Sequence, residues 1–222
     1  MKLEDLNKEY DKLQKKYGAL ELNSIYNGGY SDHPDICFVF MNPTGRNVAS
    51  VKDWNGIRSP WIGTKNIWDL FYPLGLLEED IYYRIKTIKG SEWTPDFAEE
   101  VYDNVKKHKY FITNLGKCTQ VDARELPNSV YMQYLHLLEK EFEIIKPKVI
   151  ILFGNQVSSI VLDQKISVSQ VRKQSFIKII NGVSYKFYSV YYPIGNGRFN
   201  IDKSIEDIKW IMDKELYSRE YK

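Results

Sequence analysis

Four segments of the sequence contain side-chain amides, glycines or aromatic residues and no carboxylate. They cover residues 42–47, 114–118, 154–156 and 192–200. A side-chain amide offers both a hydrogen-bond donor and an acceptor, and an aromatic ring offers a face on which another ring can stack. Such a set of groups suits the recognition of a planar molecule by its edge and its face.

The residue patterns of several other chemistries are missing or misplaced. His33 and His108 precede predicted strands and His136 falls in a predicted helix, so neither a histidine-based triad nor a zinc site is expected. The sequence has no GxGxxG after its first strand and no GxxxxGK[ST], which argues against dinucleotide binding and nucleotide triphosphate hydrolysis. Cys37 and Cys118 are too few for a disulfide framework, and we expect both to be reduced.

Four short apolar runs, rich in β-branched and aromatic residues, predict the strands that position these segments. They are Ile36–Met41, Tyr110–Thr113, Val149–Phe153 and Phe187–Tyr191. Helical stretches are predicted at Asn66–Tyr72, Pro95–Lys107, Ser129–Ile145, Gln156–Leu162 and Lys203–Leu216. This alternation predicts an α/β fold, a three-layer α/β/α sandwich around a central, mainly parallel four-stranded sheet. Because ligands bind outside the carboxyl ends of such strands, the four segments should meet at one edge.

The length of 222 residues predicts a single domain over 1–222, since domains usually have about 100–200 residues. Hydrophobic residues at 43% and charged residues at 27% are ordinary for a globular protein and exclude disorder. An N-terminal helical extension is predicted over 1–22, with Gly18 as its stop. Its apolar residues recur at spacings of three and four: Leu3, Leu6, Tyr10, Leu13 and Tyr17.

Composition also constrains location and partners. No apolar run is long enough to span a membrane, and the acidic start of the chain argues against a signal peptide, so a cytoplasmic protein is expected. The net charge of +2 neither requires nor excludes a nucleic-acid partner. The 14% aromatic share is more informative, because several of these residues fall in loops, where they favour a stacking partner.

Five short motifs, in chain order, resemble the uracil-DNA glycosylase superfamily, in the branch of the mismatch-specific and single-strand-selective enzymes. Residues 40–45 (Phe-Met-Asn-Pro-Thr-Gly) resemble its first motif, and residues 56–63 resemble its Gly-x-Pro-Phe-Val-Gly loop with Trp61 in place of phenylalanine. Residues 110–118 resemble its strand that ends in Thr-Asn and continues to Lys-Cys. Residues 145–154 resemble its Pro-Lys-Val-Ile strand that ends in glycine.

The resemblance implies a DNA glycosylase that hydrolyses the N-glycosidic bond of uracil or a related deaminated base. Asn42 would orient the attacking water, and Asn114 would read the O4 and N3–H edge of the base. Trp61 would stack on the flipped base, with Met41 and Gly154 completing the pocket. The alternatives are structural: Asn42 opens a turn, Asn114 caps a strand end, and Trp61 belongs to the core.

The last motif departs from the family, because Tyr192 stands where the family has histidine. A tyrosine with its usual pKa of about 10 can donate a hydrogen bond to the departing base but supplies no cation near neutral pH. Tyr192 is the second predicted catalytic residue on this interpretation. Alternatively, Tyr191 or Tyr192 only packs, and Arg198 supplies the positive charge.

Residues 195–200, with two glycines, one cation and one aromatic, form the predicted DNA-binding loop. Phe199 would enter the duplex as a wedge while Arg198 meets phosphate. Lys117 and Arg124 would add contacts to the DNA backbone. The alternative is a surface turn in which a side chain caps the last helix, either Asn200 or Asp202.

No metal or cofactor is expected. The iron–sulfur branch of the superfamily has four cysteine ligands, and only Cys118 falls on one of those positions. The expected partner is DNA that contains uracil or other damage, bound by a monomer and not at a membrane.

Two other interpretations come from different functional classes. The first is a binding protein on the same fold that recognises a base or a damaged strand without cutting it, which Tyr192 and the near-neutral charge favour. The second is an α/β enzyme that acts on a small nucleotide or nucleoside, for which the amide-rich segments would serve equally well. DNA affinity at low salt distinguishes the second from the others.

Overall fold

The computed structural model describes residues 1–123 and 126–217. Within them, a sheet of six strands has the order β1-β3-β2-β4-β6-β5. The strands are β1 (Gly28–Gly29), β2 (Ile36–Phe40), β3 (Tyr110–Asn114), β4 (Val149–Phe153), β5 (Ser175–Ile180) and β6 (Val183–Val190). The central strands β3, β2, β4 and β6 are parallel, and the edge strands β1 and β5 are antiparallel to their neighbours.

The mainly parallel sheet is confirmed, but the predicted number of four strands is wrong. The four predicted strands form the parallel centre, and the two additional strands lie at the edges. β1 is a pair of glycines with no apolar pattern to mark it. β5 alternates between exposed and partly buried residues, so it lacks the continuous apolar run of a central strand. It forms a hairpin with β6 that makes β6 begin at Val183 rather than at the predicted Phe187.

The described helices surround the sheet. They are α1 (Asn7–Tyr17), α2 (Trp68–Phe71), α3 (Glu79–Thr87), α4 (Pro95–Lys107), α5 (Asn128–Ile145), α6 (Asn155–Leu162), α7 (Val168–Val171) and α8 (Ile201–Met212). The start of α4 is as predicted: the Thr94 hydroxyl accepts a hydrogen bond from Phe97 N at 3.2 Å, and Pro95 takes the first helical position. The helices α3 and α7 were not predicted.

The alternation of side chains along β2 divides the core between the two faces of the sheet. Phe38 and Phe40 pack into one apolar cluster with residues of α2, α3, α4 and α8. Cys37 and Val39 pack into a second cluster with residues of α5 and α6. The predicted arrangement of helices on both faces of the sheet therefore agrees with the structure, as expected when strands are buried on both sides.

The predicted N-terminal extension packs against the layer of α5. A 3₁₀ turn at Leu3–Leu6 leads into α1, which ends at Gly18 as predicted. Leu6 and Tyr10 are buried in a third cluster with residues of α5, namely Val130, Tyr134 and Leu137. In the described part of the chain, no helix has the length and apolar character needed to cross a membrane.

Candidate active site

A cavity of about 710 Å³ opens at the carboxyl ends of the parallel strands. Its volume is in the range of small-molecule sites, about 300–1,000 Å³. Five residues predicted from the sequence line it: Met41, Asn42, Trp61, Asn114 and Tyr192. They come together because each follows or ends a parallel strand, or lies on the loop that faces those strand ends.

Two hydrogen bonds hold the side chain of Asn42 in one orientation. The Tyr131 hydroxyl donates to Oδ1 at 2.7 Å, and Nδ2 donates to the Pro43 carbonyl at 3.1 Å. Tyr131 is fully buried on α5, so its hydroxyl is itself fixed. An amide oxygen has two lone pairs, and Oδ1 therefore retains a site that can accept a hydrogen bond from a water molecule.

Asn114 ends β3 and is only 2% exposed. Its Nδ2 has no hydrogen-bond partner among the described residues, and its side chain caps no loop amide there. An unpaired buried donor costs about 1–3 kcal/mol, and most such groups in native proteins are paired with protein or water. This orphaned donor favours the base-reading role over the alternative of a strand-end cap.

The loop that carries Trp61 is fixed from two sides. Asn47 Nδ2 donates to the Ser59 carbonyl at 2.9 Å, and the Tyr102 hydroxyl donates to the Pro60 carbonyl at 2.6 Å. Trp61 itself has a φ of 69°, in the left-handed region that bulky residues seldom adopt. Its ring lies edge-on to Phe40, with the centroids 5.0 Å apart. Trp61 therefore serves both as a wall of the cavity and as packing for the core.

Tyr192 forms the opposite wall and is half-buried. Desolvation by burial raises the pKa of its phenol, so the hydroxyl is a neutral donor. Gly154 lies behind it rather than in the cavity wall, because a Cβ there would sit 3.5 Å from the Tyr192 Cβ. The predicted contact of Gly154 with the base is therefore not compatible with this cavity.

Two cations in the cavity wall, Arg46 and Lys65, were missed by the sequence analysis. Arg46 is exposed, and Lys65 donates a hydrogen bond from Nζ to the Lys86 carbonyl at 2.7 Å. The signal for Arg46 was its position directly after the first motif, in the segment 42–47 that follows β2. No carboxylate and no imidazole lines the cavity in the described residues, so its only charges are positive.

The loop Gly195–Asn200 borders the cavity through Gly195, Asn196 and Gly197. Gly197 packs so closely on the Tyr192 carbonyl that a Cβ would lie 1.9 Å from its oxygen. Phe199 is 94% exposed and lies outside the cavity wall, as does Arg198. Asn200 takes the N-cap position of α8 without a capping hydrogen bond from its side chain.

The predicted DNA contact of Lys117 is not compatible with the structure. Its side chain is 1% exposed, and its Nζ lies 3.1 Å from the buried carboxylate of Glu141. The sequence pattern of a lysine in a loop favoured exposure, but the loop turns this side chain into the interior. Arg124, the other predicted backbone contact, lies outside the described residues.

None of the histidines lines the cavity. His33 and His136 are exposed, and His108 precedes β3 at the opposite end of the sheet. Cys37 and Cys118 are free thiols, both buried. Across residues 1–123 and 126–217, no group of three histidine, cysteine or acidic side chains is placed to hold a metal ion.

The fold and the cavity define an α/β protein with an amide-bearing site, lined by two cations and no carboxylate among the described residues, at the carboxyl ends of its parallel strands. The chain belongs to the Uracil DNA glycosylase superfamily, whose sequence model matches residues 28–200. Members of this superfamily act on DNA. Comparison with curated individual proteins finds no match.

Proposed function

We propose that this protein is a DNA glycosylase that releases uracil or a related deaminated base from DNA. The observation that supports it most is the meeting of Asn42, Asn114, Trp61 and Tyr192 in one cavity of a superfamily member. The resemblance of the motifs to the mismatch-specific and single-strand-selective branch supports the choice of base.

Recognition of the base rests on Asn114 and Trp61. A flipped uracil presents the O4 acceptor and the N3–H donor on one edge, and a single amide can pair with both. The unpaired Nδ2 of Asn114 supplies the donor to O4. The indole of Trp61 supplies a face for stacking, a contact that contributes about 1–3 kcal/mol for an aromatic on a base.

Hydrolysis requires that a water oxygen bonds to C1′ of the sugar while the bond from C1′ to the base nitrogen breaks. Asn42 Oδ1 orients the water by accepting one of its hydrogens, and it is too weak a base to remove the proton by itself. The electron pair of the broken bond leaves with the base, whose negative charge the Tyr192 hydroxyl stabilises by donation. The proton that the attacking water loses neutralises the base anion, so the products are the free base and an abasic site.

The positive charges of the cavity suit this leaving group and the DNA backbone. Arg46 and Lys65 are attracted both to phosphates and to the anionic base, and the described wall carries no carboxylate to repel them. Arg198 and Phe199 stand on the loop beside the cavity, exposed to a bound duplex. Phe199 fills the stack from which the base is flipped, and Arg198 contacts phosphate.

The test is base release from labelled oligonucleotides that carry uracil, single-stranded or paired with G or A, followed by alkali to cut abasic sites. Wild-type protein should produce the cut strand, and Asn42→Ala should lose about 100-fold or more in rate while still binding DNA. Asn23→Ala is a matched control, because both groups of its amide are also hydrogen-bonded but it lies outside the cavity. Release that persists in Asn42→Ala would contradict the role of Asn42.

A second candidate function is a base- or damaged-DNA-binding protein without catalysis. The tyrosine at position 192 favours it, because a phenol supplies no positive charge where the family has histidine. Binding of uracil-containing DNA with no release of any deaminated base would decide for this function. Catalysis by the wild-type protein would decide against it.

A further inference from the structure

A buried ion pair lies behind Asn114, on the side away from the cavity. Lys117 is 1% exposed, Glu141 is 0% exposed, and Lys117 Nζ lies 3.1 Å from Glu141 Oε1. Burial lowers the pKa of Lys117, and the neighbouring carboxylate opposes that shift by favouring the ammonium form. Nothing in the proposed chemistry uses this pair.

The ammonium of Lys117 has three hydrogen-bond partners, which matches its three donors. Nζ donates to Thr113 Oγ1 at 2.5 Å, to the Asn114 main-chain carbonyl at 2.5 Å and to Glu141 Oε2 at 3.2 Å. The bond to the Asn114 carbonyl connects the pair to the cavity. The same residue that presents its side chain to the cavity is thus held at its main chain by a buried cation.

The carboxylate of Glu141 accepts hydrogen bonds from separate parts of the chain. The Tyr10 hydroxyl of α1 donates to Oε1 at 2.8 Å, and Asn27 Nδ2 donates to the same oxygen at 2.7 Å. Thr113 of β3 donates to Oε2 at 2.7 Å. Tyr10 and Asn27 precede residue 28, where the superfamily match begins.

We propose that Lys117 is a positioning residue for Asn114, and that Glu141 holds the Lys117 ammonium in place with help from Tyr10. This inference rests on the proposed role of Asn114 as the reader of the base. The peptide between Asn114 and Leu115 is held from both sides, because Leu115 N donates to the Phe40 carbonyl at 2.7 Å and Lys117 Nζ donates to the Asn114 carbonyl at 2.5 Å. An amide that must meet two atoms of a base needs such support, because a displacement of about 1 Å costs about 100-fold in rate.

Stability alone does not account for the pair. Buried ion pairs replaced by apolar residues of similar volume often leave stability unchanged or improve it. The two charges also cancel, so the pair adds little net field at the cavity. Its contribution to base release is therefore the geometry of Asn114.

The experiment compares Glu141→Gln with the double variant Lys117→Met/Glu141→Gln. Glu141→Gln leaves the Lys117 ammonium without its counter-ion but retains the Nζ bond to the Asn114 carbonyl, whereas the double variant removes both charges and that bond, so both are compared at a temperature at which they are folded. Single-turnover base release should stay within about threefold of wild type in Glu141→Gln and fall at least about tenfold in the double variant. The dissociation constant for DNA of the same sequence without uracil should stay the same in both.

Tyr10→Phe tests the hydrogen bond that lies farthest from Asn114 in the series Tyr10, Glu141, Lys117 and Asn114. It removes one hydrogen bond to Glu141 and should slow base release by about threefold. Tyr110→Phe is the matched control and should change nothing, because Tyr110 is equally buried and its hydroxyl has no hydrogen-bond partner in the described residues. Equal rates in the single and double variants of the ion pair, at equal thermal stability, would overturn the proposal.

A second measurement separates failure of this proposal from failure of the proposed function. The ¹⁵N–¹H signals of the Asn114 side-chain amide are followed while free uracil is titrated. If the wild type releases no base but its Asn114 signals shift, the shift should require at least about tenfold more uracil in the double variant than in Glu141→Gln. If uracil shifts no Asn114 signal and no base is released, both proposals are wrong.

Discussion

On the cavity side of Asn114, two neutral side-chain donors are unpaired among the described residues, whereas on the interior side the Lys117–Glu141 pair is charged and hydrogen-bonded to several partners. Asn114 Nδ2 and Trp61 Nε1 lack partners in the described residues. Behind them, Lys117 and Glu141 share six hydrogen-bonding contacts with Thr113, Asn114, Tyr10, Asn27 and each other. Asn114 and Trp61 thus keep unpaired donors on residues that line the cavity, while the buried charges of Lys117 and Glu141 have several hydrogen-bond partners each.

The largest effect, on the free energy of unfolding, is expected from a substitution that breaks the buried ion pair of Lys117 and Glu141. Lys117→Met leaves the Glu141 carboxylate buried without its cation and should cost about 3–5 kcal/mol of unfolding free energy. Denaturant unfolding measures it. Lys106→Met is the control, since the ion pair of Lys106 with Asp103 is exposed and its loss should leave the midpoint unchanged. A midpoint for Lys117→Met equal to that of the control would contradict the assigned burial.

A change on the cavity side should alter selectivity more than stability. Asn114→Asp replaces a donor and an acceptor by two acceptors, which suits the N4 amino group of cytosine better than the O4 of uracil. The preference for uracil over cytosine should fall by about 1–3 kcal/mol, or roughly 5- to 150-fold in relative single-turnover rates. An unchanged preference with reduced thermal stability would show that Asn114 is structural.

A smaller effect is expected from Phe199, on the loop Gly195–Asn200 beside the cavity. Phe199→Ala should weaken binding to duplex DNA that carries a non-hydrolysable uracil analogue by about tenfold, because the wedge no longer replaces the flipped base. Its melting temperature should not change, since Phe199 is 94% exposed. Ile179→Ala is the control, because Ile179 is 70% exposed and pairs with Ser184 near the opposite end of the sheet. Equal losses in both variants would point to a non-specific effect.

The smallest effect should be that of pH on base release. The raised pKa of Tyr192 keeps its phenol protonated beyond its ordinary value of about 10, and no imidazole or carboxylate lines the described cavity. The single-turnover rate should therefore be flat between about pH 6 and pH 9. An inflection near pH 6.5 that survives in Tyr192→Phe would show that a histidine takes part.

The sequence predicted the parallel centre of the fold because its strands are continuous apolar runs. The edges were harder to predict. β5 is half-exposed, although the Asn181-Gly182 pair before β6 is a recognised hairpin signal. Helix α3 was missed even though Ile81 and Ile85 have helical spacing and are buried. The local pattern of residues thus identified the strands that are buried on both faces. It missed β5 and α3, which are buried on one face only.

The candidate site was also predicted only in part from the sequence. Asn42, Trp61, Asn114 and Tyr192 were found because strand ends and motifs place them. The direction of Lys117 was not, since the choice between solvent and interior depends on Glu141, which is 24 residues further along the chain. The local spacing of Glu141 with Glu139 and Glu143 favours a solvated helix face, and Glu141 is instead fully buried. The pairing of two charges that are far apart in the sequence cannot be predicted from the spacing of neighbouring residues.

The hydrogen bond from Tyr10 to Glu141 also shows that the start of the family match and the start of the packed structure are different positions in the chain. The family match begins at residue 28, but the packed structure extends to α1 and the turn before it, because Leu6 and Tyr10 are buried against α5. A shortened protein that starts at residue 28 would keep every residue of the cavity wall and still leave the Glu141 carboxylate without two of its donors. For this chain, the smallest fragment that resembles the family is not the smallest fragment that should fold.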